Sequence, residues 1–233
     1  MSLDCARILT KNRDLLAESD ISVTALEVLR RTHLSDVNIV GRRGHVQSSF
    51  TIKELRELSR LEGISLRLHE SELSLGLNEA SAAEASETRS KKRILELLGS
   101  LAMPAVNANY DTTIMLRFLL QPKEIVRDDK GAVCGVRFER TALEGSPHSQ
   151  RARGTGETEV IPCDVVITSL GYLNTQLPGV PFDSRSGTIP HSRGRISQGG
   201  GDTQRRFDLT GWYVTGWLKR GPTGTRCVYH HRQ

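Results

Sequence analysis

Two adjacent arginines flanked by glycines, Gly41-Arg42-Arg43-Gly44, have the clearest chemical potential in this 233-residue sequence. They follow Asp36–Val40, a short β-branched run that predicts a buried strand. Ligands of doubly wound α/β folds bind at the carboxyl ends of strands, where arginines can hold a ribose 2′-phosphate through charge-assisted hydrogen bonds. The motif therefore favours NADP over NAD. The alternative that these four residues leave open is a solvated turn without a ligand.

The helix predicted after this turn has a recognisable start. Thr51 and Glu54 have the spacing of a capping box, in which the hydroxyl and the carboxylate bind the first free amides of a helix. This pairing gives Glu54 a complete structural role. We also expect Glu54 to contact the ligand, because the amino end of this helix would lie beside an adenosine held by the two arginines.

A second segment, Val214–Gly224, combines a predicted strand with an aromatic ring and cations. A Gly-Pro-Thr-Gly turn at residues 221–224 directly follows Trp217, Lys219 and Arg220. A flat side chain beside exposed backbone amides suits a flavin ring or a nicotinamide. The alternative is a buried tryptophan at a strand end, followed by an ordinary turn.

The sequence predicts no metal site, and no residue is assigned a catalytic role. Cys227, His230 and His231 crowd into the last residues without a fourth ligand, which is weak evidence for a metal. The four cysteines lie far apart without the paired spacing of a zinc or dithiol motif, and we expect them to be reduced and structural. They are Cys5, Cys134, Cys163 and Cys227.

Hydrophobic periodicity predicts the elements that would position these residues. Helical stripes cover Leu3–Leu16, Ser22–Arg31 and Phe50–Leu61, and the strand Asp36–Val40 lies between the second and the third. Residues 71–93 are rich in Ser, Ala and Glu, and we expect them to form a mobile surface stretch that leads into a helix.

A β-meander is predicted after these helices. Its segments are Thr113–Leu120, Glu124–Val126 and Ala132–Arg140, with a hairpin turn at residues 128–131. A polar loop is predicted at Glu144–Glu159.

The last strong strand signal lies at Asp164–Leu170, which should be central in its sheet. Beyond Tyr172 the sequence is rich in Gly, Pro, Ser and Arg and indicates a different, incomplete unit. Short strands are expected there at Thr188–Ile189 and Trp212–Thr215.

The composition, 37% hydrophobic and 25% charged, is that of a soluble globular protein, without an apolar run that could span a membrane or serve as a secretory signal. The net charge of +5 is uneven, because residues 185–233 contain nine Lys or Arg and two acids, an excess of +7 that leaves −2 on residues 1–184. A nucleic-acid surface is one use of this basic segment. It lacks interleaved aromatics and a basic helical face, so no nucleic-acid partner is expected.

Taken together, these segments resemble the adrenodoxin reductase family, the mitochondrial NADPH-dependent, FAD-containing ferredoxin reductases, with their bacterial and fungal relatives. The matching segments run in the family's order along almost the whole chain. They are Leu3–Leu9, Ile39–Gly44, Phe50–Glu57, Ser169–Tyr172, Val180–Asp183 and Gly216–Gly224. The most specific of them is the Trp-x-Lys-Arg-Gly-Pro-Thr-Gly element.

The resemblance implies roles for particular residues. The NADP contacts would be Arg42, Arg43, Glu54 and Gly224. The FAD contacts would be Trp217, Gly224, Thr225 and Arg226. The implied reaction is hydride transfer from NADPH to FAD, followed by single-electron delivery to an iron-sulfur partner, ferredoxin or adrenodoxin.

The resemblance further implies a mitochondrial location, a monomer and a peripheral association with the inner membrane. In this interpretation the cations of residues 185–233 help to orient an acidic ferredoxin by electrostatic steering.

The chain departs from the family pattern at both ends. No G-x-G-x-x-G turn precedes the predicted strand, and the family's apolar helix after Gly224 is replaced by a polar terminus. We therefore expect an α/β protein with a Rossmann-like, three-layer NADP-binding domain and a β-meander at residues 1–172, lacking the first strand and glycine-rich turn. Residues 173–233 would be an incomplete remnant of a FAD-binding domain. The alternative to an active reductase is a non-catalytic remnant with at most NADP or partner binding.

Overall fold

The computed structural model describes residues 1–102, 110–197 and 211–221. The chain divides into two compact units, Met1–Thr168 and Ser169–Gln233. In the described part of the chain, no helix is long and apolar enough to cross a bilayer.

A three-stranded parallel sheet forms the centre of the first unit. Its strands are β1 (Asp36–Val40), β2 (Ile64–Leu68) and β3 (Thr112–Arg117), in the order β1-β3-β2. The register pairs Val40 with Arg117 on one side of β3 and Leu68 with Leu116 on the other. The carboxyl ends of all three strands therefore meet at one edge of the sheet, the edge at which such folds bind ligands.

Seven α-helices and a short 3₁₀ helix at His45–Gln47 lie in the described part of the first unit. The α-helices are α1 (Ser2–Thr10), α2 (Arg13–Ala17), α3 (Val23–Arg31), α4 (Ile52–Ser59), α5 (Glu70–Gly76), α6 (Glu79–Glu87) and α7 (Arg89–Leu101). Leucines of α4 and α7 pack with the aliphatic side chains of β2 and β3 in one core, in which Leu55, Leu98 and Ile114 are completely buried. Burial of this apolar surface stabilises the unit.

An antiparallel meander follows the parallel sheet. It consists of β4 (Leu120–Arg127), β5 (Val133–Glu144) and β6 (Arg151–Pro162), with β5 in the middle. The mixed α/β class, with a parallel sheet and a β-meander, is confirmed. The strand predicted at Asp36–Val40 is confirmed with the same bounds as β1. The prediction that it is buried is wrong, because β1 is a half-exposed edge strand.

Several predicted elements of the first unit are wrong. The single helical stripe Leu3–Leu16 is broken into α1 and α2, because the Asn12 side chain accepts the Asp14 amide and starts a new helix. Strand β2 was not predicted. The stretch 71–93 is not a mobile surface segment but holds α5, α6 and the start of α7, with Glu72, Ser81 and Ala85 buried.

Two further errors concern strands. Thr113–Leu120 is not a meander strand, because β3 ends at Arg117 and pairs in the parallel sheet. The predicted polar loop Glu144–Glu159 contains most of β6, whose side chains are polar because this strand is largely exposed.

The segment Asp164–Leu170 is not a strand, and its prediction as a central one is wrong. Val165 is 72% exposed and Leu170 is 91% exposed. An apolar run becomes a strand only where another strand offers backbone partners, and within the described residues no strand pairs with this segment.

The second unit has a small apolar core of Val180, Ile189, Ile196 and Val214. A two-stranded hairpin, β7 (His191–Ser192) with β8 (Arg195–Ile196), lies beside it. The strands predicted at Thr188–Ile189 and Trp212–Thr215 contain only one isolated bridge each, at Thr188 and at Tyr213. Trp217, Lys219 and Arg220 lie in a five-residue helix, α8 (Gly216–Arg220), and not after a strand end as predicted.

A buried ion pair joins helix α5 to the end of β3. The Arg117 guanidinium donates from Nε to Glu72 Oε1 at 2.8 Å and from a terminal nitrogen to Glu159 at 2.9 Å. The other Glu72 oxygen accepts the Phe118 amide at 2.7 Å. Burial acts to lower the pKa of Arg117, but the hydrogen bonds and charges of the two glutamates outweigh it and raise that pKa above its ordinary value.

We predict that Arg117→Met destabilises the protein by about 3–5 kcal/mol, because it leaves the Glu72 carboxylate buried without its cation. Denaturant unfolding of the full chain measures this free energy. Arg153→Met is the matched control, since Arg153 and its partner Glu144 have side chains that are 74% and 57% exposed. The control should lose less than about 1 kcal/mol. Equal losses in the two variants would contradict the assigned role of the buried pair.

Candidate functional site

The loop Gly41–Gly44 leaves the carboxyl end of β1 and continues the strand pairing for one residue. The Gly41 amide donates to the Arg117 carbonyl at 2.9 Å. The loop therefore starts beside the last residue of β3, at the ligand-binding edge of the sheet.

Three successive loop carbonyls accept hydrogen bonds from Leu119, which follows β3, from Leu120 at the start of β4, and from β5. Leu120 N donates to Gly41 O at 3.1 Å and Leu119 N donates to Arg43 O at 3.2 Å. Between them, Thr141 Oγ1 donates to Arg42 O at 2.7 Å. We call these three hydrogen bonds the carbonyl clamp. The clamp fixes the loop backbone on the side that faces Leu119, Leu120 and Thr141.

Leu119 has an unusual backbone conformation within this clamp. Its φ of 60° lies in the left-handed region, which costs a branched residue free energy. In that conformation the Leu119 amide reaches the Arg43 carbonyl, while the Leu119 carbonyl accepts the Thr141 amide at 2.8 Å. The strain is thus offset by two hydrogen bonds that attach the loop to β5.

The side chains of Arg42 and Arg43 remain exposed above the clamp. Neither guanidinium has an ion pair or a side-chain hydrogen bond with any other residue in the described ranges 1–102, 110–197 and 211–221. Two unneutralised cations on a fixed backbone form a site suited to an anion with several oxygens, such as a phosphate.

Gly44 is required by close packing. A Cβ atom on Gly44 would lie 3.1 Å from the Gly76 carbonyl oxygen and 3.0 Å from Leu143 Cδ1. Gly76 is constrained in turn, because its Cβ would lie 2.9 Å from His45 Nδ1. The second glycine of the motif therefore lets the loop approach the end of α5.

A buried polar network holds the residues just after the loop. Gln47 Nε2 donates to Ser81 Oγ and to Gln150 Oε1, both at 3.0 Å. Ser81 Oγ donates to Gln150 Oε1 at 2.6 Å, and Gln150 Nε2 donates to Asn78 Oδ1 at 2.9 Å. The network attaches the loop to α6 and to the residue before β6.

His45 is the residue next to the loop, and it is 2% exposed. Neither ring nitrogen has a hydrogen-bond partner among the described residues, and the ring meets Phe118 edge-on at 5.8 Å. Burial lowers the pKa of His45 to about 4. The imidazole is therefore neutral near pH 7 and contributes packing, not charge, beside the arginines.

The capping box predicted at the start of α4 is confirmed. Glu54 Oε2 accepts the Thr51 amide at 2.6 Å, and Thr51 Oγ1 accepts the Glu54 amide at 3.3 Å. The carboxylate of Glu54 is thus engaged by its own helix. Its contact with a ligand stays a prediction.

In the second unit, the Trp217 ring lies beside the Tyr172 ring, with centroids 5.1 Å apart. Asn174 Nδ2 donates to the Trp217 carbonyl at 3.1 Å. Trp217 is 43% exposed, so the interpretation as a buried tryptophan is wrong. The aromatic pair offers a partly open apolar surface.

The other predicted flavin contacts, Gly224, Thr225 and Arg226, lie outside the described residues, as does the terminal cluster around Cys227. Within the described ranges no group of three or more His, Cys, Asp or Glu side chains could hold a metal ion.

The residues that position the arginines were not predictable from local sequence patterns. Thr141 bonds the loop itself, Gln150 bonds Gln47 just after it, and Glu72 bonds the end of β3 beside it. All three are far from the loop in the sequence and come close only through the tertiary fold. The sequence carried no signal for Glu72, because its segment was predicted to be exposed and its partner Arg117 lay inside the predicted strand Thr113–Leu120.

No family model matches the chain. It is 37% identical over 231 residues to NADPH:adrenodoxin oxidoreductase, mitochondrial, of Arabidopsis thaliana, covering 96% of this chain and 47% of that protein. It is 38% identical over 233 residues to the Bos taurus protein of the same name, covering 96% and 44%. Mycobacterium tuberculosis NADPH-ferredoxin reductase FprA is 37% identical over 224 residues, covering 96% and 46%.

The solved structure of Mycobacterium tuberculosis FprA in complex with NADPH superposes on the chain with a TM-score of 0.78 at 37% identity, covering 96% of this chain and 46% of that one. The chain thus spans about half the length of the curated relatives that it matches.

We predict that His45 makes stability depend on pH. The unfolded chain binds a proton at this residue below pH 6.5 and the folded chain only below about pH 4. The free energy of unfolding should therefore fall by about 1.4 kcal/mol per pH unit between these two values as the pH decreases, and His45 should add no slope above them. Denaturant unfolding across this range, compared between the wild type and His45→Leu, measures the contribution.

His33→Leu is the control for this measurement, because His33 is exposed. The His45 variant should lose the slope and the His33 variant should keep it. Identical pH profiles of wild type and His45→Leu would disprove the assignment of a neutral, buried imidazole.

Proposed function

Because the chain is homologous over 96% of its length to one part of the NADPH:adrenodoxin oxidoreductases, we propose that it carries the NADP-binding part of a reductase that passes electrons from NADPH to a ferredoxin. The observation that carries this proposal is the exposed pair Arg42 and Arg43, which has no ion-pair partner in the described part of the chain and lies on a loop whose carbonyls are held by the clamp.

Arg42 and Arg43 would bind the 2′-phosphate of NADP. A dianionic phosphate has enough oxygens to accept from both guanidinium groups, and charge-assisted hydrogen bonds of this kind are about twice as strong as neutral ones. The clamp supports this role since it leaves the loop backbone little to reorganise on binding, which lowers the free-energy cost of association. The neutral state of His45 avoids a third, buried cation behind the pair.

Glu54 would act at the adenosine end of the same ligand. It lies in the first turn of the eight-residue helix α4, eleven residues after Arg43, and a short 3₁₀ helix at His45–Gln47 lies between the two in the chain. One carboxylate oxygen of Glu54 closes the capping box and fixes the start of the helix. At most the other oxygen would be left to accept a hydrogen bond from the ribose.

The cofactor FAD is part of this proposal through the resemblance of Gly216–Gly224 to the family. When bound, a flavin accepts a hydride and releases single electrons. Of its proposed contacts only Trp217 is in the described part, where its ring and that of Tyr172 offer an aromatic surface of the right chemistry. Gly224 would serve both cofactors, and Thr225 and Arg226 would serve FAD.

A ferredoxin is the proposed electron acceptor, since the relatives are named adrenodoxin or ferredoxin reductases. We also propose a mitochondrial location. The plant and mammalian relatives are named mitochondrial proteins, and the mycobacterial relative is not. A monomer and a peripheral association with the inner membrane complete the proposal.

A second candidate function is NADP or partner binding without turnover. The observation that favours it is the exposed apolar segment after β6, in which Val165 is 72% exposed and Leu170 is 91% exposed. Exposed apolar surface is typical of a site that binds a partner. Absorbance near 450 nm of the purified chain after incubation with FAD, on the order of one flavin per chain, together with NADPH-dependent reduction of a ferredoxin, supports the reductase. A chain that binds NADP but takes up no flavin supports the second candidate.

We predict that Arg42→Ala combined with Arg43→Ala weakens NADP⁺ binding by about 10–100-fold and NAD⁺ binding by less than about twofold, because hydrogen bonds to charged groups contribute about 1.5–3 kcal/mol. Isothermal titration of the full chain with each nucleotide measures both dissociation constants.

Arg137→Ala combined with Arg153→Ala is the matched control, since both arginines are on the meander with side chains 42% and 74% exposed. This control removes the same charge and should leave both affinities unchanged. An equal loss of NADP⁺ affinity in the control, or an equal loss of NAD⁺ affinity in the Arg42 and Arg43 variant, would refute the proposed 2′-phosphate contact.

A further inference from the structure

Two cysteines that are distant in the sequence lie opposite each other in the meander. The register of β5 and β6 pairs Val136 with Ile161 and Gly135 with Pro162. The next pair in this register is Cys134 with Cys163, and the Cys163 amide donates to the Cys134 carbonyl at 3.3 Å. The spacing of the cysteines along the sequence gave no sign that these two lie opposite each other, because this pairing depends on the register of two strands.

The two side chains lie on the same face of the meander, because directly opposite residues of an antiparallel pair point to the same side. Cys163 packs against the apolar cluster of Leu120, Val136, Phe138 and Ile161. Cα atoms of a hydrogen-bonded antiparallel pair are about 5.5 Å apart, within the range of about 4.4–6.8 Å that a disulfide spans.

Exposure differs between the two cysteines. Cys134 is exposed and Cys163 is half-buried. Burial raises the pKa of the Cys163 thiol, and the negative charges of Asp164 and of an ionised Cys134 raise it further. The exposed sulfur is therefore the one that a small oxidant in solution reaches first, and the half-buried sulfur remains a thiol next to it.

We propose that Cys134 and Cys163 form a redox-active pair that hydrogen peroxide oxidises to an intramolecular disulfide. The Cys134 thiolate attacks the O–O bond, takes up one oxygen as a sulfenic acid, and the other oxygen leaves as water. The Cys163 sulfur then attacks the sulfenic sulfur, the S–S bond forms, and the second oxygen leaves as water. The two thiols lose two electrons together, and hydrogen peroxide is reduced to two waters.

The bond would attach the residue that follows β6 to the start of β5. Cys163 directly precedes Asp164 and the exposed apolar segment, so oxidation fixes the point at which the chain leaves the meander. A disulfide with one exposed sulfur, in a hydrogen-bonded strand pair, is accessible to reducing thiols and so can be reversed.

The test uses the full chain with Cys5→Ser and Cys227→Ser, which keeps only the proposed pair. After mild hydrogen peroxide treatment, intact mass should fall by two hydrogen atoms, both thiols should become unreactive towards iodoacetamide, and dithiothreitol should restore both. Peptide mapping without reduction should give one cross-linked peptide that contains both cysteines.

A further Cys163→Ser substitution in this chain is the matched control. It should gain one oxygen at Cys134, as sulfenic acid trapped by dimedone, and should form no intramolecular bond. The proposal is overturned if the pair-only chain stays fully alkylatable, if it gains oxygen without losing hydrogen, or if its disulfide joins two chains. Circular dichroism of both variants before oxidation identifies any that fails to fold, and Cys163→Ala then replaces Cys163→Ser.

Discussion

The carboxylate of Glu72 is the group on which the arrangement of this protein depends. It is 1% exposed, and a buried polar group without hydrogen-bond partners would cost free energy. One oxygen accepts the Arg117 side chain and the other accepts the Phe118 amide, which fixes the residues at which β3 ends. The next two amides, of Leu119 and Leu120, then point at the loop that leaves β1.

The loop owes its chemistry to this positioning. Its carbonyls are used by the clamp, Gly44 is held at van der Waals contact with α5, and the adjacent imidazole of His45 is neutral. What the loop presents outward is charge alone, from Arg42 and Arg43. A solvated turn and a phosphate site would share the same four residues, and the clamp behind them is what favours the phosphate site.

Local features were predictable from the sequence because they depend on neighbours in the chain. The strand Asp36–Val40, the capping box of Thr51 and Glu54, and the hairpin turn before β5 are of this kind. The helices within 71–93 were missed because small residues there replace the usual apolar stripe, and Ser81 is buried by hydrogen bonding. The clamp, the Glu72 pair and the Cys134–Cys163 pair depend on registers between distant strands, which composition and periodicity do not specify.

We propose that the loop is a preformed anion site, in which Arg42 and Arg43 bind a phosphate above the clamp. The most direct measurement is an NMR titration of the ¹⁵N-labelled full chain with 2′,5′-ADP and, separately, with 5′-AMP. We predict that the Nε–H signals of both arginines shift with 2′,5′-ADP and not with 5′-AMP, while the amides of Leu119 and Leu120, already hydrogen-bonded, shift little. Equal shifts with both nucleotides, or 2′,5′-ADP shifts confined to the basic start of α7 at Arg89–Arg93, would contradict it.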